Sequence, residues 1–163
     1  MGKSFTTSRT FDAPRELVWK VWTEHDHLKN WFTPGGVTLT HSTMDFRPGG
    51  SLHSAMKSPD GTEMWGKMIY QEIDPPHRLV YITTFSDKDG GLTRHPMSNT
   101  WPLEMLTTIT LEPENGKTKV TVEWEPIHAT PEEVATLEIA RDGMSQGWNG
   151  TFEQLKAYLE SIQ

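Results

Sequence analysis

The chain has 163 residues, 34% of them hydrophobic, with seven Trp, eight Met and no Cys. That length suits one domain able to bury about 70% of its unfolded surface, and the lack of cysteine excludes disulfides, thiolate nucleophiles and Cys-ligated metals. A formal net charge of −7 argues against nucleic acid as a partner, because that role needs clustered Lys and Arg against phosphate.

Residues 4–10 are Thr-rich between Phe5 and Phe11 and predict a first strand. Asp12 is placed as an N-cap with Pro14 in the first helical turn. Leu17, Val18, Val21 and Trp22 recur at helical spacing, so 13–23 predicts an amphipathic helix. A second short helix is expected over 24–31, stopped by Pro34-Gly35-Gly36. From residue 37 the signals are those of an antiparallel meander. Strands are expected over 37–44 and 51–57, around the corner Asp45-Phe46-Arg47-Pro48-Gly49-Gly50. The turn Pro59-Asp60-Gly61 leads to a strand over 64–73, which Asp74-Pro75-Pro76 ends before a strand over 77–85. Asn115-Gly116 is the tip of a hairpin joining 103–111 to 118–124. The interval 87–102 has no periodicity and reads as a long loop.

A long helix closes the chain. Thr130-Pro131-Glu132-Glu133 offers a Thr cap, Pro at the first position and Glu at the third. At about 100° per residue, Val134, Leu137, Met144, Trp148, Phe152, Leu155, Leu159 and Ile162 share one arc, with a bend expected between Gly143 and Gly150. Gly147 lies inside this pattern although glycine in a helix costs about 1 kcal/mol relative to alanine, which points to close backbone approach beside Trp148. Arg141 falls within the apolar arc.

The order strand, two helices, six antiparallel strands and a long helix is that of an α+β helix-grip fold. Phe11-Asp12-Ala13-Pro14 with Val18-Trp19, Trp31 with Pro34, the Asp45–Gly50 corner, Pro59-Asp60-Gly61, and Gly147-Trp148 before Leu155 and Leu159 resemble the START-like (SRPBCC) superfamily. Within it, they are most similar to the branch related to the C-terminal domain of the activator of the Hsp90 ATPase. The resemblance runs from about residue 6 to residue 160, within a single domain over 1–163. It implies a curved sheet gripping the last helix, with a deep apolar cavity between them. It does not imply one activity, since relatives bind lipids, aromatic polyketides or hormones and some catalyse cyclisation.

Trp and Met are the residue-level hint to that cavity. Met is unbranched and polarizable and adapts to what it encloses; Trp adds a flat apolar wall with one N–H donor. Met44, Met56, Met64, Trp65, Met68, Trp101, Met144 and Trp148 are the candidate ligand-binding residues, against the plain alternative that they fill the core. Glu104 joins them because an apolar neighbourhood can raise a carboxyl pKa. Arg141 joins them as a planar fork for an anionic or carbonyl group, unless it pairs with a protein carboxylate or reaches solvent at the helix edge. Loop 87–102 is expected to act as a lid over one mouth. The Asp45–Gly50 corner is read as structural, pinned by Asp45 or Arg47.

No catalytic constellation stands out: there is no nucleophile elbow, phosphate loop or dinucleotide fingerprint. The seven His, at 25, 27, 41, 53, 77, 95 and 128, have no zinc-site spacing. His25 and His27 should face apart on their helix, while His41 and His53 sit on neighbouring strands, where the alternatives are a facing pair and, preferred, two separately satisfied strand histidines. Asp87 and Asp89 read as a polar turn. No cofactor is implied. A small apolar or aromatic molecule is the expected partner, in the cytoplasm and without membrane insertion, since neither a leader nor a spanning apolar run is read from the chain. An Hsp90-type chaperone is the second reading, weakened because the chain as read has no counterpart of the eukaryotic activator's additional N-terminal domain. A cyclase or hydrolase is the third, and homodimerisation is left open.

Overall fold

The computed structural model describes residues 5–32, 38–93 and 100–163; Ser4, the expected Pro34-Gly35-Gly36 stop and His95 lie outside them. Strand β1 (Phe5–Phe11) is followed by helices α1 (Arg15–Thr23) and α2 (His25–Leu28). Strands β2 (Thr38–Met44), β3 (Ser51–Lys57), β4 (Glu63–Asp74), β5 (Arg78–Ser86), β6 (Leu92–Thr93), β7 (Glu104–Glu114) and β8 (Lys117–Ile127) come next, and α3 (Pro131–Ile162) closes the chain. The strands form one antiparallel sheet in the order β1-β8-β7-β5-β4-β3-β2, with β6 paired to β5. This is the α+β helix-grip architecture.

Local chemistry explains most boundaries. Asn115 and Gly116 both take positive φ, +53° and +82°, at the tip of the β7–β8 hairpin, as a two-residue type I′ turn requires. The corner before β3 is fixed by Gly50, where an added Cβ would lie 2.1 Å from the Asp45 carbonyl oxygen, and by Arg47 Nε donating to Asp45 Oδ2 at 2.8 Å. Thr130 and Glu133 form a reciprocal capping box at the start of α3, at 3.1 and 2.9 Å. The start of α1 differs from expectation. Pro14, in extended conformation and with no side-chain cap, precedes the helix, so Asp12 is not the N-cap. Interval 87–102 is not wholly loop either, because β6 pairs Thr93 with Phe85 and Leu92 with Ser86.

Alternation along the strands sorts the sheet into two faces. Phe5, Trp124, Thr107, Tyr81 and Tyr70 form one row across it. Pro126, Met105, Thr83, Met68, Leu52 and Met44 form the next. This face meets α3: Trp148 packs edge-on to Trp124 at 5.8 Å, and Phe152 to Phe11 at 5.7 Å. Helices α1 and α2 close one end, where Trp22 stacks on Trp148 and meets Trp31 edge-on. Among the described residues no helix is long and apolar enough to cross a membrane.

Candidate functional site

A cavity of about 310 Å³ lies between the sheet and α3. From the sheet come Met56, Met64, Met68, Met105, Tyr81, Thr83, Phe85 and Trp124; from α3 come Met144, Gly147, Trp148 and Thr151. Phe32, beyond α2, and Trp101 with Pro102, ahead of β7, complete the rim. The walls are thioethers and aromatic rings, both soft and polarizable.

Polar chemistry in the lining is sparse and mostly spent within the protein. Thr83 and Thr107 share a hydroxyl hydrogen bond at 3.1 Å, and the Thr151 hydroxyl donates to the Gly147 carbonyl at 3.1 Å. Burial holds the Tyr81 phenol far above the usual tyrosine range, the neighbouring Tyr70 phenol adding to the effect, so it is a neutral group at any physiological pH. The indole N–H groups of Trp124 and Trp148 are buried with no hydrogen-bond partner among the described residues. Lys67 borders the cavity, with its ammonium 3.5 Å from the Gly90 carbonyl oxygen.

Of the ten residues singled out from the sequence, Met56, Met64, Trp65, Met68, Trp101, Met144 and Trp148 border this cavity. Trp65 does so through the pleat beside Gly66 and not with its ring. Its register partners Ala55 and Ser86 lie on the opposite face from Met64 and Gly66, and the indole sits between His41 and His53, centroids 5.1 and 4.9 Å away. Those two histidines therefore flank a tryptophan and do not face each other. Met44 shares a face with Met68 but at the edge strand, where it packs on the core outside the lining. Glu104 is outside the lining because it alternates with Met105 at the start of β7. Arg141 is outside it too: half-buried, it donates to Glu138 Oε1 at 3.1 Å and holds its guanidinium 5.9 Å from the Phe5 ring centroid. Of the readings left open for it, the carboxylate partner at the helix edge is the one present.

Sequence reasoning missed Tyr81, Thr83, Phe85 and Met105. The signal was available, since each alternates with residues of the other face: Thr83 and Met105 share a row with Met68, Phe85 pairs with Gly66, and Tyr81 pairs with Tyr70, two residues along the same face from Met68. It also gave Gly147 the wrong reason. A Cβ there would meet no atom of a described residue within 4 Å, so no close approach by a described residue demands the glycine.

Several titratable groups elsewhere have structural partners. His25 Nε2 meets the Ser42 hydroxyl and His27 Nδ1 the Tyr158 hydroxyl, each at 2.7 Å, so the two rings do go to different elements. The Asp87 carboxylate accepts from the backbone N–H groups of Gly91 and Asp89, at 2.8 and 2.9 Å. The Gly91 bond is the main cause holding its pKa below the usual range, as in a polar turn. Among the described residues no group of three His, Asp or Glu could hold a metal ion.

The family described as activator of Hsp90 ATPase homolog 1-like protein matches residues 12–160. A solution structure of an Arthrobacter aurescens protein superposes with TM-score 0.79 at 28% identity, covering 97% of this chain and 86% of that one. A Nitrosomonas europaea crystal structure gives 0.76 at 26% identity, covering 98% and 95%. The AHSA1 protein of Silicibacter pomeroyi gives 0.72 at 17% identity over 99% and 100%, a likeness of fold alone. No curated protein matches the chain.

Proposed function

The chain belongs to the activator of Hsp90 ATPase homolog 1-like family, and from that premise we propose that it binds a small apolar or aromatic molecule between the sheet and α3. The observation that carries this reading is the cavity of about 310 Å³ walled by Met and aromatic side chains. Its size is at the lower end of the range for small-molecule sites, about 300–1,000 Å³. Apolar walls with few unspent polar groups favour a neutral ligand, since a cation would find no carboxylate in the lining and an anion only Lys67, whose ammonium lies 3.5 Å from the Gly90 carbonyl oxygen. Native mass spectrometry of freshly purified protein should reveal a co-purifying small molecule. Titration of stripped protein with fluorenone should quench tryptophan fluorescence saturably, through Trp101, Trp124 and Trp148. Protein that carries nothing and gives no saturable quenching would refute the reading.

The family match itself favours one other reading, that of a module acting on an Hsp90-type chaperone. A pull-down with Hsp90 and measurement of its ATPase rate with and without the protein separate the two. Stimulation that is indifferent to a cavity ligand would favour the chaperone reading.

A further inference from the structure

Two glycines line the cavity from opposite sides, Gly66 in the middle of β4 and Gly147 in the middle of α3. Both positions disfavour glycine, which loses more conformational freedom on folding than any other residue. Three structural needs could offset that, positive φ and crowding at either glycine and cross-strand cover at Gly66, and none is present among the described residues. Neither residue has positive φ, unlike Gly49, Gly61, Gly90 and Gly116. Neither is crowded: a Cβ on Gly147 would meet nothing within 4 Å among the described residues, and one on Gly66 only the Thr84 carbonyl oxygen at 3.5 Å, an ordinary contact. Nor is Gly66 covered by its cross-strand neighbour, because no atom of Phe85, its register partner, comes within 4 Å of that Cβ position.

Resting on the ligand-binding reading above, we propose that Gly66 and Gly147 are specificity-determining positions whose missing side chains form a slot, bare backbone on both walls, for a neutral, flat aromatic ring system. A planar ring can lie against exposed peptide on each wall while the Met thioethers and Trp rings surround its edge. Trp148, next to Gly147, keeps a buried indole N–H with no partner among the described residues, a donor suited to a ring face or a carbonyl oxygen. Gly143, one turn earlier on α3, is exposed and outside the lining, and a Cβ there also meets nothing. It is an internal control for the effect of alanine on the helix alone.

The test uses Gly66→Ala, Gly147→Ala and Gly143→Ala in the full chain, with thermal melting and fluorenone titration as readouts. All three should melt higher than the parent, by about 1–4 °C for a chain of this size. The first two should bind fluorenone about 10-fold or more weakly, since one extra carbon in an apolar pocket has effects of that order; Gly143→Ala should bind it as the parent does. Adamantanone, a ketone of compact cage shape, should bind the parent more weakly than fluorenone. If the parent binds fluorenone and the two cavity variants bind it equally well, the slot is refuted while the ligand-binding reading stands. Lower melting of the two cavity variants would give the glycines a structural role, and tighter binding of adamantanone than fluorenone would refute the flat ligand. A parent that binds neither ketone and carries no co-purifying molecule overturns both readings together.

Discussion

Trp22 and Trp31 pack edge-on with ring centroids 4.7 Å apart and are 2% and 1% exposed, yet replacing each by phenylalanine should have very different consequences. The indole N–H of Trp31 donates to the Val21 carbonyl oxygen at 2.9 Å, near the end of α1. That of Trp22 is buried with no partner among the described residues. In either variant the lost indole atoms cost about 2 kcal/mol, at roughly 0.8 kcal/mol per buried carbon. Trp31→Phe also orphans a buried carbonyl, adding about 1–3 kcal/mol. Trp22→Phe removes an orphaned donor and so recovers about the same amount. The expected totals are a loss of about 3–5 kcal/mol for Trp31→Phe and a change of about 1 kcal/mol or less in either direction for Trp22→Phe. Urea unfolding followed by far-UV circular dichroism should separate the midpoints by about 1 M or more. Equal midpoints, or a larger loss at Trp22, would refute the assignment of these two N–H groups.

Burial holds the phenols of Tyr70 and Tyr81 well above the ordinary value of 10.0. Above pH 10 the unfolded chain releases two protons that the folded one keeps. Stability should therefore be intact below pH 10 and fall by up to about 2.7 kcal/mol per pH unit above it; phenolate absorbance from these residues ahead of unfolding would contradict this. Thr130→Ala removes one half of the capping box at α3 and should cost about 1 kcal/mol in urea unfolding, with no loss expected if the helix end is already frayed. Arg141→Met should leave the affinities for anionic anilinonaphthalene sulfonate and for neutral fluorenone both unchanged, because the guanidinium is engaged with Glu138 and Phe5; selective loss of the anionic dye would return Arg141 to the site.

The fold was legible because its signals are local. The Thr130 cap, the Asn115-Gly116 tip and the Asp45–Gly50 corner each act within a few residues, and all three are found where their chemistry placed them. Asp12 failed as a cap because Pro14 sets the start of α1 through backbone geometry, which a preference for polar caps does not report. The site was only half legible. Residue type led to Met56, Met64, Met68, Trp101, Met144 and Trp148, which border the cavity, but type says nothing of face. Strand alternation sends the Trp65 ring to the side of His41 and His53, and leaves Tyr81, Thr83 and Met105 facing α3.

A helical projection has the same blindness, and α3 shows where it matters. Its apolar arc is dense from Trp148 onward, through Phe152, Leu155 and Leu159, the last three at most 2% exposed. It is sparse before that, with Leu137 and Met144 a full two turns apart and Arg141 between them. The dense half seals against β1 and β8, where Phe11 and Val120 are equally buried. The sparse half cannot seal. Gly147 puts nothing into the space, Met144 only a thioether, and Arg141 swings outward to Glu138. The cavity thus lies where the helix runs out of bulk, and Gly147, one of three glycines that each cost the helix about 1 kcal/mol relative to alanine, is on its wall. Stability and vacancy are assigned to different stretches of one helix, so the half that leaves the cavity open can change without loosening the half that holds the sheet.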